Sequence, residues 1–239
     1  MFYAVINIGA LSAPLIGGWT QEHAGWPWSF AVASFGSLLS VSVLALGRMR
    51  VDGTPAEEVP GMTQPPSVPP ELVRRQLALV LAAGVVFAVG VVQSHSSLLL
   101  WARDRTDRHI GSFEIPVAWF AAAPAALVLL VASPLSAIFA VLRRGHREPS
   151  TLRKIAIGLA VSGLAFVPLW ITSARTHGGL RVSPLWVLGC MTMLAIGELL
   201  VPALAPSEIT RITPPERRGR GLSYWFVALA AGNVVGGWV

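Results

Sequence analysis

Residues 182–207 read VSPLWVLGCMTMLAIGELLVPALAPS. One charge, Glu198, interrupts an otherwise uncharged run longer than the ~20 residues an α-helix needs to cross a ~30 Å hydrocarbon core. A carboxylate at that depth costs at least ~2.5–3.5 kcal/mol on insertion scales, so it needs a polar cavity, a partner or a proton. Pro202 and Pro206 follow the acid and remove backbone donors, which loosens the helix on its C-terminal side. The stretch reads as a membrane-spanning helix broken next to a costly acid.

Six more runs without Asp, Glu, Lys or Arg extend this reading: 1–21, 23–47, 76–102, 115–142, 155–174 and 221–239. Lipid offers the backbone no hydrogen-bond partners, so such runs must be helices. The fold class is therefore an all-α membrane protein of about seven transmembrane helices. Composition agrees, with 54% hydrophobic and 13% charged residues against the roughly 25% charged of a soluble domain. A single cysteine, Cys190, rules out an internal disulfide framework and a CxxC metal site. HExxH, P-loop and GxSxG patterns are missing, so the chain is not read as an enzyme.

The span boundaries organise the chain into two helices (1–48), a linker (49–75) with six prolines and the four acids Asp52, Glu57, Glu58 and Glu71, and five helices (76–239). The linker composition predicts a polar, partly disordered segment, with a short amphipathic turn near Glu71–Arg75. Segments 48–75, 143–154 and 211–220 carry 13 of the 18 Lys and Arg residues. Cytoplasmic loops hold the basic excess, so loops 49–75, 143–154 and 208–220 read as cytoplasmic in a multi-pass cell-membrane protein. The net charge of +6 is then explained by topology and the lipid bilayer rather than by nucleic acid.

Polar groups inside the spans are the candidate functional residues. Glu198 either faces a substrate cavity, pairs with a neighbouring helix, or lies near enough to the surface to reach water. Asn7 is equally suited to interhelical glue and to substrate binding, with Gly9 and Ala10 allowing close helix approach. Gln93-Ser94-His95-Ser96-Ser97 is a polar island covering more than one helical face. His95 within it is a weak candidate for proton transfer beside Glu198. Trp225, with Tyr224 and Asn233, falls near mid-membrane, whereas Trp19, Trp26, Trp28, Trp101 and Trp186 sit near span ends as an aromatic belt does.

Taken in order, several segments resemble the proton-dependent oligopeptide transporter family of the major facilitator superfamily. They are Phe2-Tyr3-x-x-Ile6-Asn7-x-Gly9-Ala10-Leu11, Gln93 with Ser97, Asp104-Arg105-Thr106-Asp107-Arg108, and Phe113-Glu114-Ile115-Pro116. Lys154-x-x-x-Gly158-Leu159, Gly197-Glu198-Leu199, and Trp225-Phe226 with Gly232-Asn233 complete the series. The resemblance implies a partial major-facilitator fold whose first four helices would precede Met1 and whose twelfth would follow Val239. It also implies that Asn7, Gln93, Glu198 and Trp225 line a peptide cavity, with Glu198 contacting the peptide amino group. A proton would be the coupling ion, with no cofactor and no metal. The sequence departs from the family at Val92, Ala123, Pro202 and Ala203, where polar residues or a shifted proline are usual. The expected function is that of a fragment of a proton-coupled transporter of di- and tripeptides or similar small molecules, needing the missing helices as partners. A non-transporting membrane remnant or interaction subunit is the alternative.

Overall fold

The computed structural model describes the backbone of residues 2–51, 69–175 and 181–238, and the side chains of these except 2–4, 48–51 and 175. The Pro-rich stretch of the linker lies outside the described residues. Among the described residues, ten α-helices form seven rods: α1 (Phe2–Ala24), α2 (Trp26–Val51), α3 (Pro70–His95) continued by α4 (Ser97–Arg105), α5 (Val117–Arg144), α6 (Thr151–Leu164) continued by α7 (Val167–Arg175), α8 (Leu185–Leu200) continued by α9 (Ala205–Ile212), and α10 (Arg218–Trp238). A two-residue antiparallel hairpin, β1 (His109–Ile110) and β2 (Phe113–Glu114), links α4 to α5. Among the described residues, the second to sixth rods are long and apolar enough to cross a membrane. The other two, α1 and α10, are helical over 23 and 21 residues but carry more glycine and polar residues.

Two boundaries differ from the charge pattern for local reasons. Helix α3 starts at Pro70 rather than beyond residue 75, because proline at the first helical position has no orphan amide to satisfy and already holds a helical φ. The Glu71–Arg75 turn is thus the first turn of α3. At the other end, residues 208–212 belong to α9 rather than to a loop, since Glu208 finds a partner one turn on.

Three rods are interrupted, each for an identifiable reason. Pro202 takes away the amide hydrogen that helix geometry would give to the Glu198 carbonyl, and α8 yields to a turn before Pro206 helps open α9. Pro168 likewise marks the start of α7 after the break at Ala165 and Phe166. The α3–α4 break at Ser96 has no proline. There the hydroxyls of Ser94 and Ser96 donate to the carbonyls of Val91 and Val92, both at 2.7 Å, and local bonds of this kind compete with the helical ladder. Pro124 and Pro134, by contrast, lie inside a continuous α5.

Two apolar clusters hold the later helices together. One gathers Leu98, Phe120, Leu169, Val187, Met191 and Leu194 from α4, α5, α7 and α8. The second gathers Val80, Phe87, Ile155, Val201, Ile209 and Trp225 from α3, α6, α9, α10 and the α8–α9 turn. Helix α10 lies along α3, α8 lies between α5 and α6, α1 packs on α5, and α2 packs mainly on α1. Many large apolar side chains, such as Phe35, Leu44, Val86, Leu130 and Trp170, remain exposed, as lipid contact allows.

Close approach is achieved with glycine. A Cβ at Gly232 of α10 would stand 2.4 Å from the Val85 carbonyl of α3, and one at Gly84 would stand 2.5 Å from the Trp225 ring. The tightest crossing joins α6 to α8, where a Cβ at Gly197 would fall 1.8 Å from Ser162 Oγ. That hydroxyl is itself fixed by a 2.9 Å bond to the Gly158 carbonyl. Gly197→Ala is expected to cost about 1–3 kcal/mol through overpacking, read as a lower thermal midpoint in detergent. Ser162→Gly in the same chain should restore most of the loss, and Gly163→Ala, which meets open space, should leave the midpoint unchanged or higher.

Charges at the α5–α6 turn are also fixed. Lys154 donates to Glu148 at 2.5 Å and lies 4.5 Å above the Phe139 ring, and Arg143 contacts the second Glu148 oxygen at 3.4 Å. The Lys154 hydrogen bond holds the Glu148 carboxyl below its ordinary pKa. A depressed carboxylate contributes stability above its unfolded-state pKa and loses it as pH falls through the folded value. Acid titration should therefore release this turn only below the ordinary glutamate range, and Lys154→Met should move that transition upward, as followed by NMR of the Glu148 side chain.

Candidate functional site

The sequence-predicted site residues lie on four rods. Glu198 is half-buried on α8, one residue beyond the crossing with α6. Because Gly197 is wedged against Ser162, the Gly158 carbonyl and Phe87, the rotation of α8 is set there. The ~100° step between helical neighbours then turns Glu198 away from the α6 contact. The acid is next to the point where α8 gives way to the 201–204 turn, so side chain and helix break occupy one level of the molecule.

Trp225 is 2% exposed and belongs to the same cluster as Phe87, with its ring against Gly84. Phe87 is thus a neighbour both of Trp225 and of Gly197, the residue before Glu198. Gln93 stands almost two turns further along α3. Its amide donates to the Gly236 carbonyl at 2.7 Å and its oxygen accepts from Ser97 at 2.6 Å. It also edges a cavity of about 240 Å³ with Ser97, Trp101, Leu169, Trp170 and Ser173. Trp101 Nε1 donates to Ser173 Oγ at 3.0 Å, tying α4 to α7.

Asn7 belongs to a different part of the structure. It is 4% exposed on the α1 face that also carries Leu11, Pro14 and Gly18, spaced as one helical stripe, and α1 packs on α5 and α2. Gln93 and Trp225 stand on α3 and α10. His95 is exposed at the end of α3, adjoining the Ser96 break. Among the described residues, no three His, Cys, Asp or Glu side chains converge as metal ligands would.

A second crevice, of about 380 Å³, opens where α1 meets the start of α5. It is lined by Gly18, Gln21 and Glu22 on one side and Arg108, Glu114 and Pro116 on the other. Arg108 pairs with Glu114 and donates to the Ile115 carbonyl at 2.6 Å, which fixes the hairpin over the helix start. On α1, a Cβ at Gly18 would reach Ala118 at 2.8 Å, so the two helices touch directly below this crevice.

The sequence reading missed one strongly placed acid. Glu208 is 1% exposed and receives two bonds from the guanidinium of Arg211, at 2.6 and 3.0 Å. The spacing of three residues on a helix was its signal, obscured because charge counting assigns both residues to a loop. Ser162 had no sequence signal, since nothing in the chain announces which residue will face Gly197.

Residues 1–63 and 73–239 match the sequence pattern of the POT family. Over 99% of its length the chain is 25% identical to peptide transporter YePEPT of Yersinia enterocolitica subsp. palearctica, covering 59% of that protein. Over 98% it is 26% identical to the uncharacterized transporter YclF of Bacillus subtilis, covering 58%. The fold superposes on peptide transporter POT in complex with sulfate with a TM-score of 0.78, at 20% identity, over 98% of this chain and 59% of that one. It also superposes on a POT family transporter in complex with 5-aminolevulinic acid, with a TM-score of 0.72 at 18% identity, over 99% and 61%. The chain spans about 59% of the length of such relatives. Rods broken at membrane depth, glycine-mediated crossings and a half-buried acid beside a break therefore stand in a known architecture: this chain belongs to the POT family.

Proposed function

We propose that the chain is the larger part of a proton-coupled secondary transporter of di- and tripeptides or similar small molecules bearing an amino group. The observation that carries this reading is Glu198, a half-buried carboxylate beside a helix break in a POT-family span. A carboxylate in a low-dielectric setting attracts a substrate ammonium far more strongly than it does in water. Discontinuous helices at membrane depth are where transporters expose backbone polar groups to substrate and ions. The peptide transporter name of one relative and the 5-aminolevulinic acid held by a structural neighbour fit the same substrate chemistry, a small molecule with an ammonium group.

In this proposal Gln93 offers an amide from α3, at the edge of the cavity shared with Trp101 and Ser173. Trp225, being buried, acts from behind by holding α3 and α10 together. Asn7 supplies a contact from the α1 side when the halves close. Glu198 is also the first candidate to exchange the coupling proton, with His95 a distant second. The side with loops 49–75, 143–154 and 208–220 is cytoplasmic.

The alternative, a membrane remnant or interaction subunit that transports nothing, is supported by α2, whose membrane window is unburied in the structure. Calorimetric binding of dialanine to the purified chain separates the two readings. The transporter reading expects Glu198→Gln to weaken binding by roughly ten- to a hundredfold, as losing a hydrogen bond to a charged group does. It also expects an imposed proton gradient to drive dipeptide uptake into proteoliposomes by the polypeptide whose reading frame contains this chain. No binding by the parent chain and no gradient-driven uptake would establish the remnant instead.

A further inference from the structure

We propose that the cleft between α5 and α8, at the end where α6 begins, is a binding site for one anionic phospholipid of the surrounding bilayer. The cleft is lined by Leu135, Phe139, Leu199, Leu200 and Leu204, with Lys154 at its mouth. Its volume of about 170 Å³ is below the roughly 300–1,000 Å³ of a small-molecule pocket, yet it has room for part of an acyl chain entering from the side. On α5, Ile138 and Val141 flank it and are 56% and 66% exposed, so this apolar face is uncovered by the described helices.

The mouth of the cleft selects the sign of the head group. Segment 143–154 holds Arg143, Arg144, Arg147, Arg153 and Lys154 against one carboxylate, Glu148. Glu148 is already shared by Lys154 at 2.5 Å and Arg143 at 3.4 Å. The Arg143 side chain is nevertheless 70% exposed, and Arg144, Arg147 and Arg153 are exposed on the same turn. Cations therefore outnumber the carboxylate at a fixed place, directly beside an apolar channel. The Lys154 ammonium itself lies 4.5 Å over the Phe139 ring, so positive charge meets the apolar channel directly. A molecule with an anionic head and an apolar tail satisfies both halves at once, whereas a soluble anion would leave the leucines uncovered.

The cleft also touches both sides of the α8–α9 break, through Leu199 and Leu200 before it and Leu204 after it. A seated chain would therefore brace the hinge next to Glu198.

Native mass spectrometry of the purified chain, with equimolar dioleoylphosphatidylglycerol and dioleoylphosphatidylcholine, tests the site without requiring transport. The phosphatidylglycerol adduct should be retained preferentially, and Arg143→Gln with Arg153→Gln should reduce the preference by roughly fivefold per arginine. Leu135→Trp, which fills the apolar part and leaves the charges alone, should lower retention of both lipids. Equal retention of the two lipids by the parent chain would overturn the proposal. So would a preference that survives the double arginine substitution, or competition by soluble glycerol phosphate as effective as that by the intact lipid.

Discussion

Hydrocarbon gives a polar group nothing to bond to, and every level of this structure answers that constraint. Backbone amides and carbonyls pair inside helices because no other partner exists at depth. Serine hydroxyls follow the same rule: Ser34, Ser37, Ser40 and Ser42 on the exposed α2 each bond a carbonyl four residues earlier. These hydroxyls are silent because they are satisfied. Polar groups that are not absorbed in this way mark where the protein spends stability on something other than folding.

The helix breaks show how that constraint is relaxed locally. At 201–204 and at 165–166 local turn bonds replace the helical ladder, with the Leu204 and Ala205 amides donating to the Val201 carbonyl and that of Ala165 to Val161, and both breaks lie within or beside the buried clusters. The α8–α9 break is stabilised by the Gly158 and Gly197 contacts directly above it. Glycine removes the side-chain barrier, dispersion contacts multiply, and the helix is clamped at one level while free to bend at the next. Glu198 is placed at that junction, so its orientation depends on α6 as much as on its own helix.

Ionic groups are arranged by a different balance. Away from the apolar interior, pairs such as Arg103 with Asp104 and Lys154 with Glu148 are partly exposed, and such pairs contribute little to stability. Glu208 is the contrast. Its carboxylate is buried, and the bidentate Arg211 guanidinium offsets a desolvation cost that an unpaired acid could not bear. Among the described residues of 143–154 and 208–220, arginines outnumber carboxylates, a surplus of the kind that attracts anionic lipid head groups.

The charge-free runs determined the seven rods by themselves, because length and apolarity are sufficient for a helix in lipid. Pro202 with Pro206 was readable as a place where a rod gives way, Pro168 was not singled out, and the family motifs identified the architecture. The Ser96 break was visible only as a polar island, and Pro124 and Pro134 stand in an unbroken helix because packing and neighbouring bonds decide whether a lost donor matters. The burial of Asn7 and Trp225, the clamping of Glu208 and the wedge of Ser162 against Gly197 belong to the tertiary structure alone. Composition along a chain records how much each segment avoids water, but it carries no record of which helix will lie against which. That choice is made by contacts between residues far apart in sequence, at separations where a single methyl group either fits or does not.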